Sequence, residues 1–288
     1  VQIIISGLIF GCIYGLAAIG MILIYRTSSV VNFAQGEMAM VTTFVSFVFL
    51  NKLGFPFFLS FLLSLLFAAL LGVIIYQLIM KRVQTANHTI QNVVTLGLFL
   101  IINGIAGLIW GYQPASYPEA IKGSAIKIGS VHVTPNELFI LGITLTLMLL
   151  FFLLFQYSKI GLAMRASSQD YMASELMGIK VSQVFMATWI VAAVLGGVSG
   201  MLTAPMTFLS THMMFDVLIM AFAAAVLGGF VSLPGAIVGG LLIGVFENLI
   251  SYYIAPEMKV VYVFLLIVLV LYIRPQGIFG GAKIVKKV

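Results

Sequence analysis

Nine stretches of the chain are apolar and long enough to read as membrane spans: 3–25, 33–50, 57–80, 93–111, 135–157, 183–204, 217–232, 236–254 and 259–273. A helix needs about 20 apolar residues to cross hydrocarbon. A transmembrane barrel would instead show segments of about ten residues with alternating polarity. Runs such as 57–80 and 260–273 are apolar with no such alternation. Backbone in lipid must satisfy its own hydrogen bonds, so these runs predict an all-α integral membrane protein, a bundle of about 8–9 transmembrane helices. The second, seventh and eighth stretches are short or interrupted by glycine and polar residues, which predicts broken or re-entrant helices there. The first run, 3–24, is too long for the apolar core of a signal peptide and lacks a basic lead; it reads as a retained span.

Composition removes other classes. Of 288 residues, 62% are hydrophobic and 8% charged, against about 25% charged in a soluble domain. One cysteine, Cys12, and three separated histidines, His88, His132 and His212, supply no metal-ligand spacing. No G-x-x-x-x-G-K-[ST] loop is present, so ATP is not bound here through a P-loop. The net charge of +6 does not point to nucleic acid, because the basic residues sit at the ends of apolar runs. With the C-terminus inside and the N-terminus outside, Arg26, Lys81, Arg82, Lys159, Arg165, Lys180, Arg274, Lys283, Lys286 and Lys287 are cytoplasmic. Lys52, Lys122, Lys127 and Lys259 are then outside, as the positive-inside rule requires.

Glycine spacing adds packing. Gly7, Gly11 and Gly15 share one face of the first span, and the pairs Gly235/Gly239 and Gly240/Gly244 repeat the spacing. Such faces serve close helix contact, within the bundle or between subunits. Two loops are distinctive. The outer one, 113–134, alternates on both sides of Gly129-Ser130, a hairpin pattern suited to a type II′ turn. The inner one, 158–182, predicts a short helix over 167–178, with Ser167 and Asp170 as a capping pair and Gly178 as the stop. That helix either lies in the interface or docks a cytoplasmic partner. Trp110, Tyr112 and Tyr117 read as interfacial anchors.

Polar residues at membrane depth are the candidates for function. Glu37 follows Asn32 and Gln35 at the start of the second span; Asn103 lies in the fourth; Glu247 and Asn248 lie in the eighth. Two readings stand: internal caps and hydrogen bonds, or a polar path where half-helix ends meet solute. Asp216 opens a span, where an anion suits the helix dipole. No H-E-x-x-H, G-x-S-x-G or serine–lysine motif occurs, so the chain is not read as an enzyme.

The segments Gly15-Leu16-Ala17-Ala18-Ile19-Gly20 and Asn32-Phe33-Ala34-Gln35-Gly36-Glu37-Met38 resemble the LivH-type permeases of bacterial branched-chain amino-acid ABC importers. So do Gly161-Leu162-Ala163-Met164-Arg165-Ala166 with Gly178-Ile179-Lys180-Val181, and Ala224-Ala225-Val226-Leu227-Gly228-Gly229. Pro234-Gly235-Ala236-Ile237-Val238-Gly239-Gly240 and Arg274-Pro275-Gln276-Gly277-Ile278-Phe279-Gly280 extend the resemblance over nearly the whole chain. Members commonly carry His where Gln35 stands and Thr-Gly where this chain has Gln276-Gly277. Homologous permeases also serve importers of urea, short amides and organic acids.

The resemblance implies one permease domain, 1–288, in the bacterial inner membrane. Its expected partners are a second, LivM-like permease, two cytoplasmic ATPase subunits and a periplasmic binding protein. ATP and Mg would be bound by the ATPases, with no cofactor in this chain. Transport would proceed by alternating access. The expected pathway residues are Asn32, Gln35, Glu37, Asn103, Glu247 and Asn248. The expected coupling residues are Arg165, Asp170, Ala173, Glu175, Leu176 and Gly178. The rivals are an ion-coupled secondary transporter, with Glu37 or Glu247 as its ion site, and a non-transporting scaffold.

Overall fold

A computed structural model of the chain describes residues 1–128, 131–169 and 171–280. Its long helices are α1 (Gln2–Ser28), α2 (Gln35–Asn51), α3 (Phe57–Val83) and α4 (His88–Trp110). A hairpin of β1 (Ile126–Ile128) and β2 (Val131–Val133) precedes α5 (Pro135–Tyr157). Two short helices follow, α6 (Lys159–Gln169) and α7 (Tyr171–Leu176). The chain continues through α8 (Val181–Thr203), α9 (Met213–Gly228), α10 (Leu233–Tyr253) and α11 (Lys259–Ile273). Each of the nine apolar stretches is therefore helical. Among the described residues, seven helical segments are long and apolar enough to cross a membrane, the last being Pro256–Ile273, in which a 3-10 turn runs into α11. The chain is a multi-pass, all-α membrane protein.

The two remaining helices are short. α2 has 17 residues and α9 has 16; at 1.5 Å per residue they reach about 26 and 24 Å, less than the hydrocarbon core of about 30 Å. The eighth stretch differs from expectation: α10 runs unbroken for 21 residues. Its glycines do not interrupt the helix because they are occupied in packing. A Cβ on Gly11 would stand 2.8 Å from the carbonyl oxygen of Gly240 and from Leu241 Cα. A Cβ on Gly7 would stand 2.7 Å from Val245 Cα. Gly7, Gly11 and Gly15 of α1 thus share an internal seam with Gly240 and Gly244 of α10, while Gly235 and Gly239 pack against Gly228 and Ala224 of α9, so neither α10 face is left for another subunit. In lipid, where apolar contact is gained everywhere, such close backbone approach is what distinguishes one helix pairing from another.

Burial sorts the helices into centre and periphery. The spanning window of α1 is 89% buried and that of α8 is 72%, whereas α11 is 11%. Outward side chains such as Leu100, Leu108, Leu149 and Val268 are exposed and apolar, a surface suited to lipid. Hydroxyls inside are satisfied locally: Thr42, Thr144, Thr188 and Thr203 each donate to the carbonyl four residues back.

The hairpin forms, pairing Ile126 with Val133 and Lys127 with His132; its Gly129-Ser130 turn lies outside the described residues. The Gln2 side chain extends it like a strand, donating to His132 O and accepting from His132 N, both at 2.9 Å. A capping box starts α5, where Thr134 accepts from Glu137 N and the Glu137 carboxylate accepts from Thr134 N. Tyr117 is not an interfacial anchor. It is buried, with its hydroxyl 2.7 Å from Ser46 Oγ, and burial pushes its phenol up to about 12.

The 158–182 loop also departs from expectation. Ser167 does not cap a helix; it lies in the last turn of α6, and its hydroxyl is buried without a hydrogen-bond partner. The start signal is Ser158, whose Oγ accepts from Gly161 N at 2.9 Å. Asp170 lies outside the described residues. The stop at Gly178 holds: with φ +84°, its N–H donates to Glu175 O while Ile179 N donates to Ser174 O. This is the paired bonding of a glycine-terminated helix.

Candidate functional site

The polar residues separate into three groups. The first lies in the irregular turn before α2. Asn32 accepts from Ala34 N and donates from Nδ2 to Gln35 Oε1 at 3.1 Å. Gln35 in turn donates to Ala192 O at 2.6 Å, with Gly20 and Gly196 leaving room for its amide. This amide clasps α2 to α1 and α8. Asn32 borders an apolar cavity of about 220 Å³ with Phe33, Phe222 and Phe264.

In the second group, the buried Glu37 carboxylate accepts from Asn103 Nδ2 at 3.1 Å, and the same amide donates to Thr211 O at 2.9 Å. Asn103 therefore joins α2, α4 and the connection into α9. The third group surrounds a half-open cavity of about 810 Å³. Lys259, at the start of α11, reaches Glu247 Oε1 at 2.9 Å and Asp216 Oδ2 at 3.2 Å. Tyr14 stands beside Glu247 from α1. Asn248 lines the cavity and donates to Gly244 O in its own helix. Of the six expected pathway residues, Glu247 and Asn248 line this cavity; Gln35, Glu37 and Asn103 form separate buried contacts.

Asp216 and Lys259 are functional candidates that the sequence reading placed elsewhere. Asp216 stands in the first turn of α9, where it favours the dipole, yet no side chain caps that helix and the carboxylate pairs with Lys259. Lys259 reads in the sequence as a topology charge. The available signal was their shared position at span ends beside an intramembrane acid.

In the 158–182 segment, Arg165 donates to the Phe155 and Gln156 carbonyls at the end of α5. Its guanidinium and that of Arg26 both lie over the Phe155 ring. Arg165 thereby fixes α6 against α5. Glu175 and Leu176 are exposed, Leu176 by 83%.

Charged and amide side chains held inside a polytopic bundle mark functional sites, and this arrangement defines the chain as a polytopic membrane protein with a polar interior. The family model described as "Branched-chain amino acid transport system / permease component" matches residues 3–271, and the chain belongs to that family. It is 30% identical to the high-affinity branched-chain amino acid transport system permease protein LivH of Salmonella typhimurium, over 98% of this chain and 96% of that one. It is 28% identical to the corresponding protein BraD of Pseudomonas aeruginosa, over 99% and 97%. A chain of PsaBC from Streptococcus pneumoniae in complex with Fab shares the fold at a TM-score of 0.50 and 17% identity, covering 96% of this chain and 91% of that chain.

Proposed function

We propose that this chain is the membrane permease of an ATP-driven importer, moving branched-chain amino acids or closely related small solutes across the bacterial inner membrane. The observation that carries this reading is the family match over residues 3–271, which includes both the ion-paired cavity and the α6–α7 segment. The N-terminus and the hairpin face the periplasm and the C-terminus faces the cytoplasm, an orientation supported by the ten-to-four bias of basic residues. The partners are a second, LivM-like permease, two cytoplasmic ATPase subunits that bind ATP and Mg, and a periplasmic binding protein. The hairpin meets the binding protein; α7 meets an ATPase, with Ala173, Glu175 and Leu176 at the contact and Gly178 fixing its end. Access alternates as the assembly shifts between two conformations.

The test is reconstitution of the chain in proteoliposomes with a second permease, ATPase and binding protein from its own source. Leucine, isoleucine or valine uptake that requires both ATP and the binding protein is the expected result. Uptake driven by a proton or sodium gradient without ATP would overturn the reading. ATP-driven uptake of urea, short amides or organic acids in place of amino acids would keep the machine and change its cargo.

A further inference from the structure

Two guanidiniums share one aromatic ring where α1 and α5 end. Arg26 Cζ lies 4.7 Å and Arg165 Cζ 5.6 Å from the centroid of the Phe155 ring. The two cations are therefore within about 10 Å of each other, no further than salt screens in water, and they repel. Among the described residues the ion pairs are those of Lys259 with Asp216 and Glu247, so neither arginine has a carboxylate. Arg165 engages Nη1 alone, on the Phe155 and Gln156 carbonyls. Its Nη2 and Nε, and the whole guanidinium of Arg26, donate to nothing among the described residues. None of these nitrogens is among the buried polar atoms left without a partner, so they are open to an acceptor from outside.

Beside the same ring is an apolar cavity of about 140 Å³, with walls from Leu23, Phe151, Leu154, Ile160, Met164 and Val191. A second depression along α5, lined by Leu150, Leu153 and Tyr157, shares Leu154 and Ser158 with it. Leu154 and Ile160 are exposed and continue the outward apolar face that Leu145, Leu149 and Leu153 give α5.

We propose that this end of the bundle is a binding site for an anionic phospholipid. The phosphate accepts from the free N–H groups of Arg26 and Arg165, and charge-assisted bonds replace the repulsion between them. The two acyl chains lie on either side of Leu154, one in each depression. Position favours a lipid over a soluble phosphate. Arg26 sits in the last turn of α1 and Arg165 grips the last turn of α5, so both stand at span ends, where basic pockets between helices suit lipid head groups. An acidic segment of a protein partner would satisfy the arginines but has no use for two apolar clefts on the outward face of α5. A zwitterionic headgroup carries an ammonium that the two guanidiniums repel.

The test titrates lipid onto the purified, delipidated full chain in detergent and reads bound lipid by native mass spectrometry. Phosphatidylglycerol should bind about tenfold more tightly than phosphatidylethanolamine, the worth of one charge-assisted hydrogen bond. Glycerophosphoglycerol, the same headgroup without chains, should bind about a hundredfold more weakly, since each buried methylene contributes about fourfold. Arg26→Gln should lower phosphatidylglycerol affinity about tenfold. Ile160→Asp sets a carboxylate beside the phosphate, in the first turn of α6 where an acid suits the helix, so it should lower affinity without loosening the fold. Arg82→Gln, which removes an exposed charge from the end of α3, is the control and should change nothing. Equal binding of the two lipids, equal loss in Arg82→Gln, or lipid retained at full affinity by either Arg26→Gln or Ile160→Asp would overturn the site. Headgroup binding as tight as lipid binding would do the same. So would displacement of the lipid when partner subunits assemble, which would assign the face to a protein.

Discussion

Replacing Gly11 with alanine adds one methyl group where two helix backbones meet. The new Cβ would lie 2.8 Å from Gly240 O and Leu241 Cα, both backbone atoms. No side chain can rotate away, so α1 and α10 must separate by about 1 Å to restore ordinary carbon contacts of 3.5–4.0 Å. Overpacking of this kind costs about 1–3 kcal/mol. Rigid backbone on both sides puts Gly11 toward the upper end, and the helix propensity of alanine returns about 1 kcal/mol. The net loss is about 2 kcal/mol, a fall in Tm of about 4–8 °C at the scaling for chains of roughly this size. The assay is thermal unfolding of purified protein followed by the exposure of the buried Cys12 to a thiol-reactive fluorophore. Gly142→Ala is the control: it lies in α5, and a Cβ there meets nothing within 4 Å. That variant should be neutral or slightly stabilised. Equal melting of the two variants would refute the seam as a source of stability.

Other expectations follow from particular contacts. Asn103→Leu leaves the Glu37 carboxylate buried without its donor and should cost about 1–3 kcal/mol; adding Glu37→Met should recover part of that loss in a melting assay, since the two changes share one interaction. Thr134→Ala removes the α5 capping box and should cost about 1 kcal/mol, read as a lower Tm. Ala173→Glu should abolish both uptake and solute-stimulated ATPase activity of the assembled importer while leaving membrane abundance unchanged; normal stimulation would move α7 from coupling to a purely interfacial role. Tyr117, held neutral by burial, contributes stability that is complete below its ordinary value near 10 and is lost as pH rises toward about 12. Tyr117→Phe should remove that alkaline loss when unfolding is compared at pH 8 and pH 11.

The helices were legible because the length of an apolar run translates directly into a span, whatever it packs against. What a glycine or an acid does depends on which helix lies opposite, and that was not legible. The glycines of 236–254 look like interruptions until α1 lies against Gly240 and Gly244 and α9 against Gly239. Asp216 and Lys259 look like a helix-end acid and a flanking base, because no periodicity reports that α9 and α11 bring them together. Local chemistry is legible where the chain's own backbone decides the outcome. Gly178 ends α7 by its own backbone geometry, and the hairpin alternation at 125–133 produced strands. Ser167 with Asp170 has the spacing of a cap, while Thr134 and Glu137, three residues apart and joined through Pro135, form the actual box. Ser158, beside a run of aromatic residues, gave no such pattern and yet starts α6.

The strand-like grip of Gln2 on His132 gives the β1–β2 hairpin a mechanical address. Two hydrogen bonds tie it to the first turn of α1, the helix most fully enclosed by its neighbours. Along that same rod, Phe10 and Tyr14 form part of the wall around the ion-paired chamber, and the glycine seam locks the rod to the helix that bears Glu247. A load on the hairpin therefore has two outcomes. It breaks the Gln2 contacts and dissipates at the surface, or it tilts a stiff lever whose far arm reaches the charges.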